Sequence, residues 1–134
     1  MSNPVFTVII PTRNRPHLLP RAVKSVLSQT FSDLEVMVVD DAGDVRTADS
    51  LMDFGDDRIV LISHGSPGGV SAARNTGIGA ARGTFVTFLD DDDEYLPRFL
   101  EKLHELFRDA GPGTGFAWTG AVRVENTADG EKTV

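Results

Sequence analysis

The chain of 134 residues contains no cysteine. A disulfide framework and a metal site built on thiolates are therefore excluded. It also has no apolar run approaching the ~20 residues of a transmembrane helix, and no basic N-terminal region followed by an apolar core. We therefore expect a cytoplasmic location, with peripheral attachment to the inner face of the membrane as an alternative.

Basic residues are in the minority, because 13 Lys and Arg stand against 20 Asp and Glu, giving a formal net charge of −7. A surface of this sign repels a phosphate backbone, so no nucleic-acid partner is expected. A bound metal ion would still invert the charge locally and admit an anionic ligand. The length and an ordinary hydrophobic content of 40% predict one domain over 1–134, with a frayed tail over about 126–134.

Two kinds of apolar segment alternate along the chain. Short runs rich in β-branched and aromatic residues predict buried strands, and stretches with apolar positions three and four apart predict helices. Their alternation is typical of an α/β fold with a doubly wound, mostly parallel sheet and helices on both faces. We predict strands at 5–10, 34–39, 58–62, 84–89 and 115–124, and helices at 18–27, 45–54, 70–82 (capped by Gly83) and 96–109.

Polar residues follow three of the predicted strands where each strand ends, at 11–14, at Asp40-Asp41 and at Asp90–Asp93. Doubly wound sheets bind ligands beyond the carboxyl ends of their strands, near the point where strand order reverses. Four adjacent carboxylates repel one another unless a cation lies among them, and oxygen ligands suit Mg²⁺ or Mn²⁺. A solvated acidic turn that caps the next helix is the alternative interpretation of Asp90–Asp93.

Five motifs resemble those of family 2 glycosyltransferases, in the same order and at similar spacing over about residues 5–100. The resemblance implies the Rossmann-like GT-A fold and transfer of a sugar from a nucleoside diphosphate donor. The motifs are VIIPTRNR at 8–15, SVLSQT at 25–30, VVDD at 38–41, GVSAARN at 69–75 and FLDDDD at 88–93.

The resemblance implies a nucleotide site built from three segments. Pro11, Thr12 and Arg13 correspond to the segment that lines the base. Asp40 corresponds to the acid that reads the base, where a carboxylate accepts a hydrogen bond from a ring N–H, as in uracil or guanine. Arg74 corresponds to a family arginine that reaches the nucleotide. Because Arg13 stands where the family often has an aromatic residue, stacking on the base would depend on its guanidinium plane.

The resemblance also implies a metal site, because Asp90, Asp91 and Asp92 match the DxD motif of the family. Asp92 is then the candidate for direct coordination of Mn²⁺ or Mg²⁺, Asp91 for the ribose, and Asp90 for the ribose or the metal. Asp93 is expected to cap the following helix. The ion would bridge the two phosphates and act as a Lewis acid on the leaving diphosphate.

Family members usually continue past residue 134 into a half that binds the acceptor and supplies the general base of inverting transfer. The resemblance therefore implies a truncated chain, a nucleotide-sugar-binding domain without that half, and we assign no catalytic base. The expected donor is a nucleoside-diphosphate sugar, with a UDP-sugar favoured, and the acceptor is a saccharide, a lipid or a protein. We also expect self-association through an uncovered sheet edge at 115–124.

Three other classes fit parts of this pattern. A phospho-acceptor receiver also clusters Asp on a doubly wound sheet, but its acid pair follows the first strand, whereas Asp40-Asp41 follow the second. A nucleotidyltransferase has a similar acidic metal site, but its glycine-rich phosphate loop is missing from 11–14. A non-catalytic module that binds a nucleotide or a partner chain is the third alternative.

Overall fold

The computed structural model describes residues 2–128 and 130–133. They divide into two compact units, one ending at Lys102 and the other beginning at Leu103. The elements are β1 Phe6–Thr12, α1 Leu19–Leu27, β2 Leu34–Asp40, α2 Thr47–Leu51 with a 3₁₀ turn Met52–Phe54, β3 Ile59–Ser63, α3 Val70–Ala80, β4 Phe85–Phe88, α4 Phe99–Ala110, β5 Val124–Thr127 and β6 Gly130–Thr133.

The first unit is built on one parallel sheet with the strand order β3-β2-β1-β4. β1 is paired on both sides, with β2 from Phe6↔Leu34 to Thr12↔Asp40 and with β4 over a shorter stretch that ends at Ile9↔Phe88. Strand order reverses between β1 and β4, and the crevice at their carboxyl ends is where such sheets bind ligands. The predicted α/β fold with a parallel sheet is confirmed.

Helix α3 packs directly on the sheet through inward-facing residues that are small. Ala73 packs with Ile9 and Met37 in the core on one face of the sheet. A Cβ on Gly77 would lie 2.6 Å from Cγ2 of Ile9, so only glycine fits at that position. Every residue of β1 and β2 is buried, so the other face is covered as well, and α1 contacts the same two strands.

The prediction of a strand at 115–124 is wrong. Beyond α4, the described residues of the second unit form a short antiparallel hairpin, in which Val124 of β5 pairs with Thr133 of β6. The apolar residues of the predicted strand stay in solvent, because Phe116 and Trp118 are 75% and 79% exposed. Their rings stack on each other with centroids 5.6 Å apart. An apolar run predicts a strand only where a partner strand and a covering layer are present, and glycines at 115 and 120 weaken the tendency further.

The prediction that Gly83 caps α3 is also wrong, because the helix ends at Ala80 and Gly83 lies against the start of β1. A Cβ at Gly83 would lie 2.4 Å from the backbone nitrogen of Thr7, so the close approach requires glycine. The Gly83 N–H donates to Thr7 Oγ1 at 2.9 Å. Gly83 is therefore a packing residue between the α3–β4 connection and the sheet.

A buried carboxylate fixes the same connection. The side chain of Glu35 is 2% exposed and accepts a hydrogen bond from Thr7 Oγ1 at 2.6 Å. Arg82 donates three more bonds to it, from its backbone N–H at 2.9 Å, from Nε at 2.8 Å and from Nη2 at 2.6 Å. This network ties the end of α3 to the first two strands.

Candidate functional site

Thr12 lies between the two acidic segments of the first unit. Its backbone carbonyl accepts a hydrogen bond from the Asp41 N–H at 2.9 Å. Its hydroxyl donates to Asp91 Oδ2 at 2.8 Å. The segments that follow β2 and β4 therefore meet around the end of β1, as their positions at strand ends predict.

A cavity of about 450 Å³ opens at this edge of the sheet. Such a volume lies within the range of small-molecule sites. All but one of the site residues predicted from the sequence line it. The lining residues are Pro11, Thr12, Arg13, Arg15, Asp41, Val70, Ala73, Arg74, Asp90, Asp91 and Asp92.

Asp40 is the predicted site residue that does not line this cavity. Its carboxylate is used locally, accepting from the Gly43 N–H at 3.0 Å and from Thr47 Oγ1 at 2.7 Å. It lines a neighbouring cavity of about 260 Å³ beside the start of α2. Asp40 is the last residue of β2, and Asp41 is the first beyond it, so the two side chains leave the strand in different directions.

Asp41 faces the larger cavity and is held by the loop before α3. Its carboxylate accepts from the Gly68 N–H at 2.8 Å and the Gly69 N–H at 2.7 Å, and His64 Nδ1 lies 2.8 Å from Oδ1. His64 Nε2 is in turn 2.8 Å from Thr76 Oγ1 on α3. The bond from Gly68 and the bond from His64 lower the pKa of the Asp41 carboxyl to about 2. Asp41 is therefore a fixed negative charge in the cavity wall.

Arginines from two other elements neutralise the acids after β4. Arg74 Nη2 on α3 lies 2.7 Å from Asp90 Oδ1. Arg15 Nη1, in the loop after β1, lies 3.0 Å from Asp91 Oδ1 and 3.3 Å from Asp92 Oδ2. The charge of Asp91 raises the pKa of the Arg15 guanidinium above its ordinary value. The cavity wall thus carries both signs of charge, which suits a ligand with an anionic part and a cation.

Asp90, Asp92 and Asp93 each offer a carboxylate oxygen, and the three oxygens lie within 4.8 Å of one another. Desolvation raises the pKa of the Asp93 carboxyl, and the neighbouring charges of Asp92 and Asp90 add to the effect. An all-oxygen donor set whose negative charges are incompletely balanced fits Mg²⁺ or Mn²⁺. Asp93 does not cap the next helix as predicted, because α4 begins only at Phe99.

One donor in the cavity wall lacks a protein acceptor. Among the residues that the structure describes, Arg74 Nε is the buried side-chain nitrogen without a hydrogen-bond partner. The guanidinium also lies over the ring of Phe88, with Cζ 5.9 Å from the centroid. A buried donor without a partner costs free energy unless a ligand or a water molecule accepts its hydrogen bond. The Nε–H of Arg74 is therefore placed to donate to an acceptor atom of a ligand.

Sequence reasoning missed four residues of this wall, of which two are charged, Arg15 and Asp41, and two are apolar, Val70 and Ala73. Both charged residues fall inside motifs that the sequence displays, yet nothing in the motifs assigns them a partner. Their relevance depends on the direction in which a loop leaves its strand. The sequence did contain one signal that could have identified Arg15. The acidic segments at 40–41 and 90–93 follow strands of the same sheet, and so many carboxylates at one edge require a basic residue on a neighbouring loop to balance their charge.

The sheet order and the mixed-charge crevice at its edge define an α/β domain of the GT-A, Rossmann-like class. The chain belongs to glycosyl transferase family 2, whose sequence profile matches residues 7–130. It is 42% identical over 103 residues to the GalNAc(5)-diNAcBac-PP-undecaprenol beta-1,3-glucosyltransferase of Campylobacter jejuni, covering 75% of this chain and 33% of that protein. It is 35% identical over 101 residues to the Escherichia coli UDP-Glc:alpha-D-GlcNAc-diphosphoundecaprenol beta-1,3-glucosyltransferase WfgD, covering 75% and 40%.

Solved structures show the same likeness. Staphylococcus aureus TarS in complex with UDP superposes with a TM-score of 0.73 at 26% identity, over 81% of this chain and 32% of TarS. The Pyrobaculum calidifontis mannosyltransferase PcManGT, in complex with GDP-Man and Mn²⁺, gives 0.65 at 28% identity, over 73% and 30%. The chain thus spans about a third of the length of the proteins that it matches.

Proposed function

We propose that the 450 Å³ cavity binds a nucleoside-diphosphate sugar through a divalent metal ion, as the donor site of an inverting glycosyltransferase. The observation that carries the proposal is the convergence of Asp41, Arg74 and Asp90–Asp92 on one cavity at the reversal of strand order. Structures with UDP, UDP-GlcNAc and GDP-Man among the relatives support a nucleotide sugar as the ligand.

Asp92 and Asp90 are the residues that would hold the metal ion, with Asp93 as a third oxygen donor within reach. Mn²⁺ or Mg²⁺ would supply Lewis-acid stabilisation of the leaving diphosphate. Asp91 is largely buried and already bonded to Thr12 and Arg15, so it serves better as a fixed acceptor for the ribose hydroxyls.

The nucleoside would lie between the loop 11–13 and the start of α3. Arg13 offers its guanidinium plane for stacking on the base, and the Nε donor of Arg74 is available to a nucleotide oxygen. We transfer the base-reading role from Asp40 to Asp41, because the carboxylate of Asp41 faces the cavity. A carboxylate pairs with the ring N–H of uracil or guanine, and we favour UDP as the nucleotide.

The acceptor of the whole protein is proposed from its relatives. Two of them are named as glucosyltransferases of undecaprenol-diphosphate-linked sugars. We propose a saccharide on a lipid carrier as the acceptor and the inner face of the membrane as the place of transfer. Within the described residues no helix is both long and apolar enough to cross a bilayer.

Calorimetric titration of the chain with UDP, GDP and CDP, each with and without Mn²⁺, tests the donor site. We expect UDP to bind more tightly with Mn²⁺ than without it, and CDP to bind least because cytosine lacks the ring N–H. Asp92→Asn should lose the metal dependence, whereas Asp109→Asn, a surface acid outside the cavity, should retain it. Failure of every nucleotide to bind in the presence of metal would overturn the proposal.

A further inference from the structure

Arg15 bridges two acids of the proposed donor site that differ in their exposure to solvent. Asp91 has a side-chain exposure of 7%, and its other oxygen accepts from Thr12. Asp92 is 52% exposed, and its contact with Arg15 is the longer one, 3.3 Å against 3.0 Å. The bond to Asp91 therefore anchors Arg15, and the bond to Asp92 is the weaker and more hydrated of the two.

The Asp92 carboxylate that Arg15 contacts also belongs to the oxygen cluster that fits a divalent cation. A guanidinium and a divalent ion cannot both lie close to the same carboxylate without mutual repulsion. A divalent ion has the stronger attraction for the carboxylate, so it displaces the guanidinium at sufficient concentration. Arg15 can then keep its bond to Asp91 while its other N–H donors face the cavity that it lines.

We propose that Arg15 is an exchangeable counter-ion of the metal site. In the metal-free chain it neutralises Asp92, and metal binding transfers it from Asp92 to an oxygen of the donor diphosphate. This inference rests on the proposed donor site. It adds a residue that controls the order in which the metal ion and the nucleotide bind. It predicts effects of opposite sign on the two ligands, since removal of Arg15 removes a competitor of the metal and a partner of the diphosphate.

The experiment measures Mn²⁺ affinity of the nucleotide-free chain by electron paramagnetic resonance, and UDP affinity at saturating Mn²⁺ by calorimetry. The variant is Arg15→Gln, and its matched control is Arg13→Gln. Arg13 lies two residues away in the wall of the same cavity, and no ion pair joins it to these acids in the described part of the chain. In the nucleotide-free Mn²⁺ measurement the control therefore corrects for the loss of one positive charge near the site, and the UDP affinity of Arg15→Gln is compared with that of the unmodified chain.

We expect Arg15→Gln to bind Mn²⁺ about three- to fivefold more tightly than Arg13→Gln, as loss of one half-exposed ion pair would allow. UDP affinity at saturating Mn²⁺ should fall at least as much, since a charge-assisted bond is lost. Arg15→Lys retains the charge and should bind Mn²⁺ like the unmodified chain. If Arg15 had a purely structural role, Arg15→Gln would weaken the binding of both Mn²⁺ and UDP. Thermal melting of each variant reports whether the fold is intact.

Equal Mn²⁺ affinities of Arg15→Gln and Arg13→Gln would overturn the counter-ion inference while leaving the donor site in place. Unchanged UDP affinity in Arg15→Gln would overturn the transfer to the diphosphate. If the unmodified chain binds UDP with no dependence on Mn²⁺, the metal site fails, and the inference about Arg15 fails with it.

Discussion

Thr12 and Asp91 are 79 positions apart in the chain, and a 2.8 Å hydrogen bond between their side chains joins the ends of β1 and β4. The bond crosses the crevice where strand order reverses, and it aligns one oxygen of Asp91 while Arg15 holds the other. The Thr12 hydroxyl and the Arg15 guanidinium together therefore fix the acid that we assign to the ribose. The contact links the first motif of the chain directly to its acidic motif, as the ion pair between Arg15 and Asp91 also does.

Replacement of Thr12 by valine should test that link. Valine keeps the shape of threonine but cannot donate, so an oxygen of the buried Asp91 is left without a partner. We expect a loss of about 1–2 kcal/mol in the free energy of unfolding and several-fold weaker binding of UDP with Mn²⁺. Thr12→Ser retains the hydroxyl and is the control. Urea denaturation and calorimetry measure the two effects, and equal behaviour of valine and serine would contradict the assignment.

Asp41→Asn should loosen the loop before α3. The carboxylate accepts both the Gly68 and the Gly69 N–H, each on a different oxygen, and an amide offers only one oxygen as acceptor. We expect faster hydrogen exchange at these two amides, with little change in the strands. Asp40→Asn in the neighbouring cavity is the matched control, and it should leave both amides protected.

The sequence predicts this edge of the sheet better than it predicts individual side chains. The strand ends predicted at 10, 39 and 89 lie within two residues of the observed ends at Thr12, Asp40 and Phe88, because the apolar runs stop near them, and the parallel order brings those ends together. The choice between Asp40 and Asp41 does not follow, because it depends on the residue at which β2 ends. The contact of Gly83 with Thr7 is also invisible in sequence, since it joins segments 76 positions apart.

Acidification should destabilise the first unit partly through Glu35. Burial raises the pKa of this carboxyl, but hydrogen bonds from Thr7 and Arg82 outweigh burial and leave the pKa below its ordinary value. Because the pKa is lower in the folded chain than in the unfolded one, the stabilisation is present above the unfolded-state pKa. It is lost as pH falls through the folded-state pKa.

Arg82→Ala tests the same network at neutral pH. It leaves Glu35 buried with fewer donors, and we expect a loss of about 2 kcal/mol, moderated because the Arg82 side chain is 56% exposed. The variant should also show a weaker dependence of stability on pH as the pH falls below the unfolded-state pKa of Glu35. Arg108→Ala is the control, since that arginine pairs only with its exposed neighbour Asp109 among the contacts described. A loss no larger than that of the control would show that the network contributes little.

Two glycines near the end of α3 should respond to alanine in opposite directions. Gly83→Ala places a Cβ 2.4 Å from a backbone nitrogen of β1, which cannot give way, so we expect a loss of more than about 2 kcal/mol. Gly79 lies within the helix with nothing inside 4 Å of an added Cβ. Gly79→Ala should stabilise the chain by about 0.5–1 kcal/mol, because alanine is the better helix former. Thermal melting of both variants tests the pair, and destabilisation by both would contradict the contact geometry.

Because 115–123 form no strand, we now expect self-association through the edge of the sheet at β4. On its outer side β4 pairs with no strand in the part of the chain that the structure describes, and its side chains Val86 and Phe88 are 38% and 42% exposed. An apolar edge strand without a partner is a template for another copy of the chain. We expect light scattering to show dimers or larger species that increase with concentration. Val86→Lys places a charge on the edge and should shift the distribution toward monomer, whereas Val45→Lys, at a similarly exposed position outside the sheet, should not. A monomer at all concentrations for the unmodified chain would show that the edge does not associate.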